Sequence, residues 1–92
     1  MSEPSKRGAA TQICSQKFDE RFFSLPVGVQ ERIQSKIDQM GCRLSTFSHY
    51  RMTGADTFRL RVGDHRVIYQ FDATRNELFL ITLGHRRQIY KL

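Results

Sequence analysis

An alternation of apolar residues with arginines constrains the fold of this chain of 92 residues more than any other feature. Phe58, Leu60 and Val62 alternate with Arg59 and Arg61. Successive side chains of a β-strand point to opposite faces of a sheet. On such a strand the three apolar residues face a core, and both guanidinium groups lie on the other face. The segment therefore predicts a sheet with one buried face and one face that presents arginines.

Turn signals after this strand predict further strands. Gly63-Asp64 and the segment Asp72–Asn76 each separate apolar runs in the way that hairpin connections do. The run Leu78–Leu83 is nearly continuous in apolar residues, which favours a central strand covered on both faces. The predicted strands are 57–62, 65–71 and 77–83, with a last short strand or turn at 87–91.

Two helices are predicted before the sheet. Apolar residues recur at helical spacing on either side of Pro26, which ends the first helix and opens the second. Gly41 stands where a left-handed cap would end the second helix. The apolar stripes are formed by Phe18, Phe22 and Leu25 in helix 17–25, and by Val29, Ile33, Ile37 and Met40 in the helix after Pro26.

The remaining segments complete an α+β fold. Alternating β-branched residues predict a weak N-terminal strand at 10–15, and residues 41–56 show no clean period and predict mostly loop. We therefore expect a flexible tail at 1–8 and one domain at 9–92. In that domain a helical hairpin packs on a mainly antiparallel sheet of three or four strands.

Basic charge is concentrated in the second half of the chain. The formal net charge is +6, and residues 43–92 hold nine Lys and Arg against four Asp and Glu. Such a field favours a polyanionic partner, most commonly a nucleic acid, although a solvated basic face is the alternative.

The cysteines and histidines argue against a disulfide framework or a metal site. Cys14 and Cys42 are far apart in the chain, and the three histidines show none of the spacings that zinc ligands have. No apolar run approaches the roughly 20 residues of a membrane span, and residues 1–10 lack the apolar segment of a signal peptide. We therefore expect a cytoplasmic protein with no metal, no small-molecule cofactor and no membrane association.

Three sequence features together resemble a known toxin superfamily. They are Leu25-Pro26 at the start of the second helix, F-R-L-R-V-G-D-H-R-V-I-Y from Phe58, and L-G-H-R-R-x-I-Y from Leu83. With the order β-α-α-β-β-β, they resemble the RelE/ParE superfamily of bacterial toxins over about Thr11 to Lys91, and within it the RelE-like messenger RNA endonucleases. RelE-like members cut messenger RNA in the ribosomal A site, whereas ParE-like members poison DNA gyrase.

The resemblance implies a fold like that of microbial RNases, a cognate antitoxin partner and cleavage of messenger RNA on the ribosome without metal. One departure stands out: RelE-like enzymes often carry lysines on the first hairpin strand, including a proposed general base, and this chain has Arg59 and Thr57 there. The residues that match the family's catalytic positions are Arg59, Arg61, Arg66, Arg86 and Tyr90. Further RNA contacts are expected from Arg51, His85 and Arg87.

Chemistry limits what these residues can do. Arginine grips phosphate with two hydrogen bonds, but its pKa above roughly 12 makes it a poor general base. The residues with a suitable pKa are His49, His65 and His85, each of which has a structural role as its alternative. Tyr90 would stack on a base or anchor the core, and Tyr69 and Phe71 are expected in the core, while Phe23 would contact the antitoxin.

We therefore expect a toxin that cuts ribosome-bound messenger RNA by attack of the 2′-OH on the phosphate and so inhibits translation and growth. The rival hypothesis is a gyrase inhibitor of ParE type that does not catalyse a reaction. A third hypothesis, an inactive nucleic-acid-binding module, rests on Thr57 and Arg59.

Overall fold

Strands and helices follow the order β-α-α-β-β-β-β-α over residues 8–89, which are the residues that this computed structural model describes. The predicted tail at 1–8, apart from Gly8, and Tyr90 lie outside the described residues. The elements are β1 Thr11–Cys14, α1 Gln16–Phe23, α2 Val27–Gly41, β2 Tyr50–Arg51, β3 Phe58–Val62, β4 His65–Asp72, β5 Glu77–His85 and α3 Arg86–Ile89. None of these helices is long and apolar enough to cross a membrane.

The strands form one sheet of five in the order β1-β5-β4-β3-β2. β1 runs parallel to β5, and every other neighbouring pair is antiparallel. The predicted α+β class is confirmed, but the sheet has five strands instead of three or four. The strand that was not predicted is β2, because two residues are too few to show an alternation.

Both helices contribute to a core on one face of the sheet. The alternation in β3 places Leu60 and Val62 in this core, as predicted. Burial of each large apolar side chain contributes about 1.5–3 kcal/mol, so this face carries most of the stability. The best buried core residues from the helices are Phe18, Phe22, Ile33, Ile37 and Met40, and those from the sheet are Val67, Tyr69, Leu78, Leu80 and Leu83.

α1 covers the edge of β5 beyond the point where β1 ends. Ser15 caps α1, because its Oγ accepts a hydrogen bond from the backbone N–H of Phe18 at 3.0 Å. The Ser15 hydroxyl also donates to the carbonyl of Ile81, and Nη1 of Arg21 donates to the carbonyl of Leu83 at 3.2 Å. The backbone of β5 is therefore bonded along both edges near its end.

Two predictions about element ends are wrong. Gly41 lies inside the last turn of α2 and not in the left-handed region, and the helix is capped by Cys42, whose N–H donates to the carbonyl of Asp38. Gly41 is instead where β1 approaches the helix, since the N–H of Ala10 donates to its carbonyl at 2.9 Å. The predicted strand or turn at 87–91 is also replaced, over 86–89, by the short helix α3.

The prediction of a central strand covered on both faces applies to β4 better than to β5. β5 does lie between β1 and β4, but its side chains Phe79 and Ile81 are only half-buried. In β4 the four consecutive residues 66–69 are all buried. The apolar run in β5 includes a β-bulge at this place, because the register against β4 shifts between Ile68 and Tyr69. A strict alternation of buried and exposed residues is therefore lost.

Candidate functional site

Two arginines and a tyrosine lie together on the sheet face opposite the core. Arg59 and Arg61 alternate with the core residues of β3, and Tyr50 of β2 is the cross-strand partner of Arg59. Residues that are directly paired across a sheet share a face. We refer to the surface of Tyr50, Arg59 and Arg61 as the arginine face.

Tyr50 and Arg59 form a stacked pair on the arginine face. The guanidinium carbon of Arg59 lies 4.5 Å from the centroid of the Tyr50 ring, which is within the range of a cation–π interaction. Tyr50 is 63% exposed. An arginine held against an aromatic ring loses less conformational freedom when it binds a phosphate, so the pair is preorganised for that task.

Arg66 is the buried neighbour of this face. It pairs with Arg61 across β3 and β4, and with Gly84 across β4 and β5. Only 4% of Arg66 is exposed. Its Nη1 donates to the carbonyls of Gly63 at 3.0 Å and His65 at 3.1 Å, which tightens the hairpin between β3 and β4.

The burial of Arg66 leaves part of its hydrogen-bonding capacity unused. No acidic side chain among residues 8–89 forms an ion pair with it, and its Nε is buried without a hydrogen-bond partner there. A buried cation and an unpaired donor both cost free energy. Such groups need a functional explanation more than an exposed arginine does.

α3 begins with a reciprocal cap that fixes the backbone of Arg86 and Arg87. The N–H of Arg87 donates to Nδ1 of His85 at 3.3 Å, and the N–H of His85 donates to Oε1 of Gln88 at 3.1 Å. This is a capping box in which His85 is the N-cap residue. The N–H of Arg86 donates to the carbonyl of Asp64 at 2.8 Å, so the start of α3 is joined to the turn between β3 and β4.

Gly84 permits the close packing of α3 on the end of β5. A Cβ atom at this position would lie 2.9 Å from Nη1 of Arg21 and 3.1 Å from Oε1 of Gln88. Both distances are shorter than ordinary contacts, so the side chains of Arg21 and Gln88 would have to move. Since Gln88 belongs to the cap of α3, a larger residue at 84 would disturb the helix that carries Arg86.

The strand pairing places the backbones of four of the five predicted catalytic residues close together. Arg61 and Arg66 are cross-strand partners, and Arg59 is two residues from Arg61. Gly84 is the next cross-strand partner of Arg66, and Arg86 lies two residues after Gly84. Tyr90, the fifth, lies outside the described residues. Arg86, predicted as catalytic, and Arg87, predicted as an RNA contact, are both exposed.

Arg51 does not belong to the arginine face. It pairs with Phe58 on the opposite side of the sheet, and its guanidinium carbon lies 5.0 Å from the centroid of the Phe58 ring. Its Nη1 is 3.6 Å from the carboxylate of Asp56, and both side chains are well exposed. An RNA contact was expected from its place in the loop before the sheet, but strand β2 directs this side chain to the face opposite Arg59.

His65 and His85 are also absent from the arginine face. They are cross-strand partners in β4 and β5 with ring centroids 6.0 Å apart, and His65 lies in register with the core residue Val62. Both line a cleft of about 360 Å³ with Arg21 and Ser24 on the helix side of the sheet. His85 caps α3 through Nδ1, and its expected contact with RNA stays a prediction.

His49 is half-buried, and both of its ring nitrogens are hydrogen-bonded within the fold. Its Nε2 is 2.7 Å from the carbonyl of Leu44, and its Nδ1 is 2.6 Å from the hydroxyl of Tyr69. Its ring stacks on Phe71 with centroids 3.8 Å apart. Since Leu44 offers only an acceptor, Nε2 carries the proton and Tyr69 donates to Nδ1. Tyr69 is fully buried, which confirms its predicted core role, whereas Phe71 is partly buried and packs against the core.

The pH dependence of stability should reflect His65. Burial, the charge of His85 and the arginines Arg32 and Arg66 lower the pKa of His65 from its ordinary value of 6.5, while Asp64 opposes the shift. The unfolded chain then binds the proton more readily, so the free energy of unfolding should fall as the pH drops below 6.5. Thermal melts between pH 7.5 and pH 5 would measure this slope. A His65→Gln variant should show a smaller slope, and an unchanged slope would contradict the assignment.

Charge is distributed unevenly along the strands of the sheet. The end nearest the hairpin between β3 and β4 carries the arginines, whereas Asp72 and Glu77 pair at the opposite ends of β4 and β5. A polyanion would therefore approach the arginine end. Within residues 8–89, no group of three or more His, Cys, Asp or Glu has the arrangement of a metal site.

Comparison with known proteins defines the family. The sequence model of the ParE toxin of type II toxin–antitoxin systems, parDE, matches residues 15–90. The chain belongs to this toxin family. The toxin thus lies in the RelE/ParE superfamily, as its motifs suggested. A comparison with curated proteins gives no significant match.

Solved structures agree on the fold of this toxin. The isolated RelE toxin of E. coli superimposes with a TM-score of 0.72 at 16% identity, over 90% of this chain and 93% of that one. A chain of the intact E. coli RelBE toxin–antitoxin complex gives 0.70 at 19% identity, over 84% and 96%. A chain of the RelB–RelE antitoxin–toxin complex of Methanococcus jannaschii gives 0.66 at 17% identity, over 86% and 95%. The predicted RelE-like fold is therefore confirmed.

Proposed function

We propose that this toxin cuts messenger RNA on the ribosome by attack of a ribose 2′-OH on the adjacent phosphate, which leaves a cyclic or 3′ phosphate. The observation that supports this most is the row of arginines that crosses the sheet. The exposed Arg61 and the half-buried Arg59 form a basic surface, with Arg66 buried directly beside them and Arg86 held by the hairpin turn. We place the reaction in the cytoplasm, where the ribosomes are.

An arginine row suits the charge that develops in this reaction. The phosphate gains negative charge as it becomes a pentavalent phosphorane, and donors placed in advance stabilise that charge more than they stabilise the substrate. The guanidinium fork of Arg61 or Arg86 can donate two parallel hydrogen bonds to phosphate oxygens. Arg66 adds a buried cation beside Arg61, and its Nε has no hydrogen-bond partner among residues 8–89.

Removal of the 2′-OH proton is the weak step for this set of residues. None of the three histidines lies on the arginine face, and arginine is a poor base at neutral pH. We infer that correct positioning of the RNA provides most of the rate. An attacking group held in line with the phosphate can gain a large effective molarity. The ribosome would hold the message in that geometry, so free RNA should be cut slowly.

A second function, inhibition of DNA gyrase without catalysis, is favoured by two observations. The family whose sequence model matches is named for ParE, and the arginine face has no histidine within the described residues. In that case the arginine face would serve as a binding surface for a protein or DNA.

One paired experiment separates these functions. Primer extension on a message after induction of the toxin should show discrete cuts within translated codons, and a gyrase supercoiling assay should show no inhibition. Intact messages together with double-strand DNA breaks would refute the endonuclease proposal. Cutting of a ribosome-bound message should also persist when divalent transition metals are chelated, because the proposed mechanism has no metal in it.

The proposed partner is a cognate antitoxin that neutralises the toxin. RelE toxins have been crystallised with RelB antitoxins in related complexes. The junction of α1 and α2 offers an apolar contact, because Phe23 is 69% exposed and Val27 is 67% exposed. Relief of growth arrest by the product of the neighbouring reading frame, and loss of that relief in a Phe23→Asp variant, would support this contact. Unaltered relief would remove Phe23 from the interface.

The exposed arginines should matter for cleavage more than for stability. Arg59→Ala and Arg61→Ala should each lower the single-turnover rate by about tenfold to a hundredfold, because each removes a cation next to the phosphate. The melting temperature should change little, since Arg61 is exposed and Arg59 half-buried. Arg75→Ala is a matched control: Arg75 is an exposed arginine in the turn between β4 and β5, at the acidic end. Equal loss in all three variants would show a general charge effect instead of a site.

A further inference from the structure

We propose that a cleft beside Tyr50 holds one nucleobase of a single RNA strand, with the Tyr50 ring as its stacking platform. The cleft has a volume of about 290 Å³ and is lined by Phe47, Ser48, Tyr50, Arg59, Leu60 and Arg61. This inference rests on the proposed binding of RNA at the arginine face, and it adds a site that recognises a base to one that recognises phosphate.

The cleft exists because β2 is short. Its two residues pair with β3 only at Phe58 and Arg59, so β2 does not cover the edge of β3 at Leu60 and Arg61. The preceding chain, which contains Phe47 and Ser48, forms the opposite wall. This wall is fixed in place because His49 is hydrogen-bonded to Leu44 and Tyr69.

The walls have the chemistry that a base requires. Tyr50 is 63% exposed, and the Arg59 guanidinium stacks over its ring. Phe47 contributes a second, half-buried aromatic ring, and Ser48 contributes a hydroxyl that can donate or accept a hydrogen bond. Proteins bind single strands with this combination of aromatic platforms and cations that follow the backbone.

The charges in and around the cleft favour RNA over a protein segment. Arg59 and Arg61 are part of its lining, and no acidic residue is among the described residues that line it. The same two arginines face the proposed phosphate position, so a base in the cleft would belong to a nucleotide next to the bound phosphate. Stacking is tolerant of sequence but stronger for larger rings, so the site should favour a purine modestly.

A fluorescent variant gives a direct test, because the chain contains no tryptophan. Tyr50→Trp places a single indole at the cleft. The full-length toxin variant is titrated with a short single-stranded DNA oligonucleotide, which lacks the 2′-OH and cannot be cut. We expect quenching by this oligonucleotide and no quenching by an abasic oligomer of the same length or by inorganic tripolyphosphate. Quenching that is as strong with the abasic oligomer would overturn the proposal.

Affinity measurements with tyrosine variants complete the test. Tyr50→Phe keeps the ring and should bind the oligonucleotide within about twofold of the parent, whereas Tyr50→Ala should bind about tenfold more weakly. Neither change should alter binding of the abasic oligomer. The matched control is Ile13→Ala, which removes an exposed apolar residue of β1 at the opposite edge of the sheet from β2 and should have no effect. Circular dichroism confirms that each variant is folded.

The outcomes distinguish this inference from the proposed function. Base-dependent binding without cuts in the primer-extension assay would support the subsite and refute the endonuclease. Cuts with equal binding by Tyr50→Ala and the parent would support the endonuclease and refute the subsite. If an acidic peptide quenches the indole more strongly than the oligonucleotide does, the cleft is a protein-docking surface and the proposal is wrong.

Discussion

Replacement of Arg66 by methionine is expected to abolish most of the cleavage activity and to leave the toxin about as stable as the parent. Methionine has a similar length and fills the buried space without a charge. Replacement of buried charged groups by apolar residues of similar volume is often neutral or stabilising by about 1–4 kcal/mol, and Arg66 has no acidic partner among residues 8–89. Loss of the hydrogen bonds from Arg66 to the carbonyls of Gly63 and His65 costs about 1 kcal/mol each, which offsets part of this gain. The carbonyl of the exposed residue Gly63 can bond water instead.

The loss of activity should be much larger than any change in stability. Loss of one preorganised donor to a developing oxyanion lowers rates by about 10²–10³-fold. We therefore expect a single-turnover rate reduced by about that factor in Arg66→Met. Arg66→Lys should cost nearly as much, because lysine keeps the charge and loses the planar fork.

Two results would contradict this expectation. A folded Arg66→Met protein that cleaves within twofold of the parent rate would remove Arg66 from the active site, and with it much of the case for catalysis. A protein that melts far below the parent would show that Arg66 serves mainly to hold the hairpin between β3 and β4. The combination of a preserved melting temperature and a lost rate is the signature of a functional residue.

His49→Ala is expected to have the largest effect on stability. The substitution leaves the buried hydroxyl of Tyr69 and the carbonyl of Leu44 without partners, and it removes the ring that stacks on Phe71. An unsatisfied buried group costs about 1–3 kcal/mol, so the total should be about 3 kcal/mol. For a domain of this size that corresponds to a fall in melting temperature of roughly 10–20 °C.

A double-mutant cycle isolates the bond between His49 and Tyr69. Burial raises the pKa of the Tyr69 phenol, so this hydroxyl keeps its proton and donates to His49. Tyr69→Phe alone should cost about 1–2 kcal/mol, and the double variant should cost less than the sum of the two single ones. Ser48→Ala, next to His49 but exposed, should change the free energy of unfolding by less than about 0.5 kcal/mol. Additive effects would show that the two side chains do not interact.

The sequence predicted those elements of the fold that have a strong period or a clear turn. β3 was predicted within one residue of each end, because alternation and the Gly63-Asp64 turn mark it. Gly63 indeed has a positive φ of 59°, and Asn76 has one of 55° in the next turn. β2 was not predicted because its two residues are too few to show a period, and α3 lies where a strand or turn was predicted. The predicted left-handed cap at Gly41 was wrong because a glycine suits close packing as well as a left-handed turn.

For the candidate site, alternation predicted which arginines share a face but not how deeply each is buried. Arg59 and Arg61 lie opposite the core as expected, whereas the burial of Arg66 depends on contacts distant in sequence. Tyr50 was missed because no local pattern pairs it with Arg59, nine residues later. The capping role of His85 could have been predicted, since a polar N-cap residue followed by glutamine at the third helical position is the signature of a capping box.

The parallel pairing of β1 with β5 determines when the toxin becomes complete during synthesis. Ser15 bonds the carbonyl of Ile81, 66 residues later, so the first strand has no partner until the strand that contains Ile81 has left the ribosome. At about 5–20 residues per second, that delay is on the order of several seconds. Throughout it the nascent chain exposes the edge of β1 and the apolar sides of both helices. The sheet is therefore incomplete for most of synthesis, and a partner that is already present can bind the nascent chain before its fold is complete.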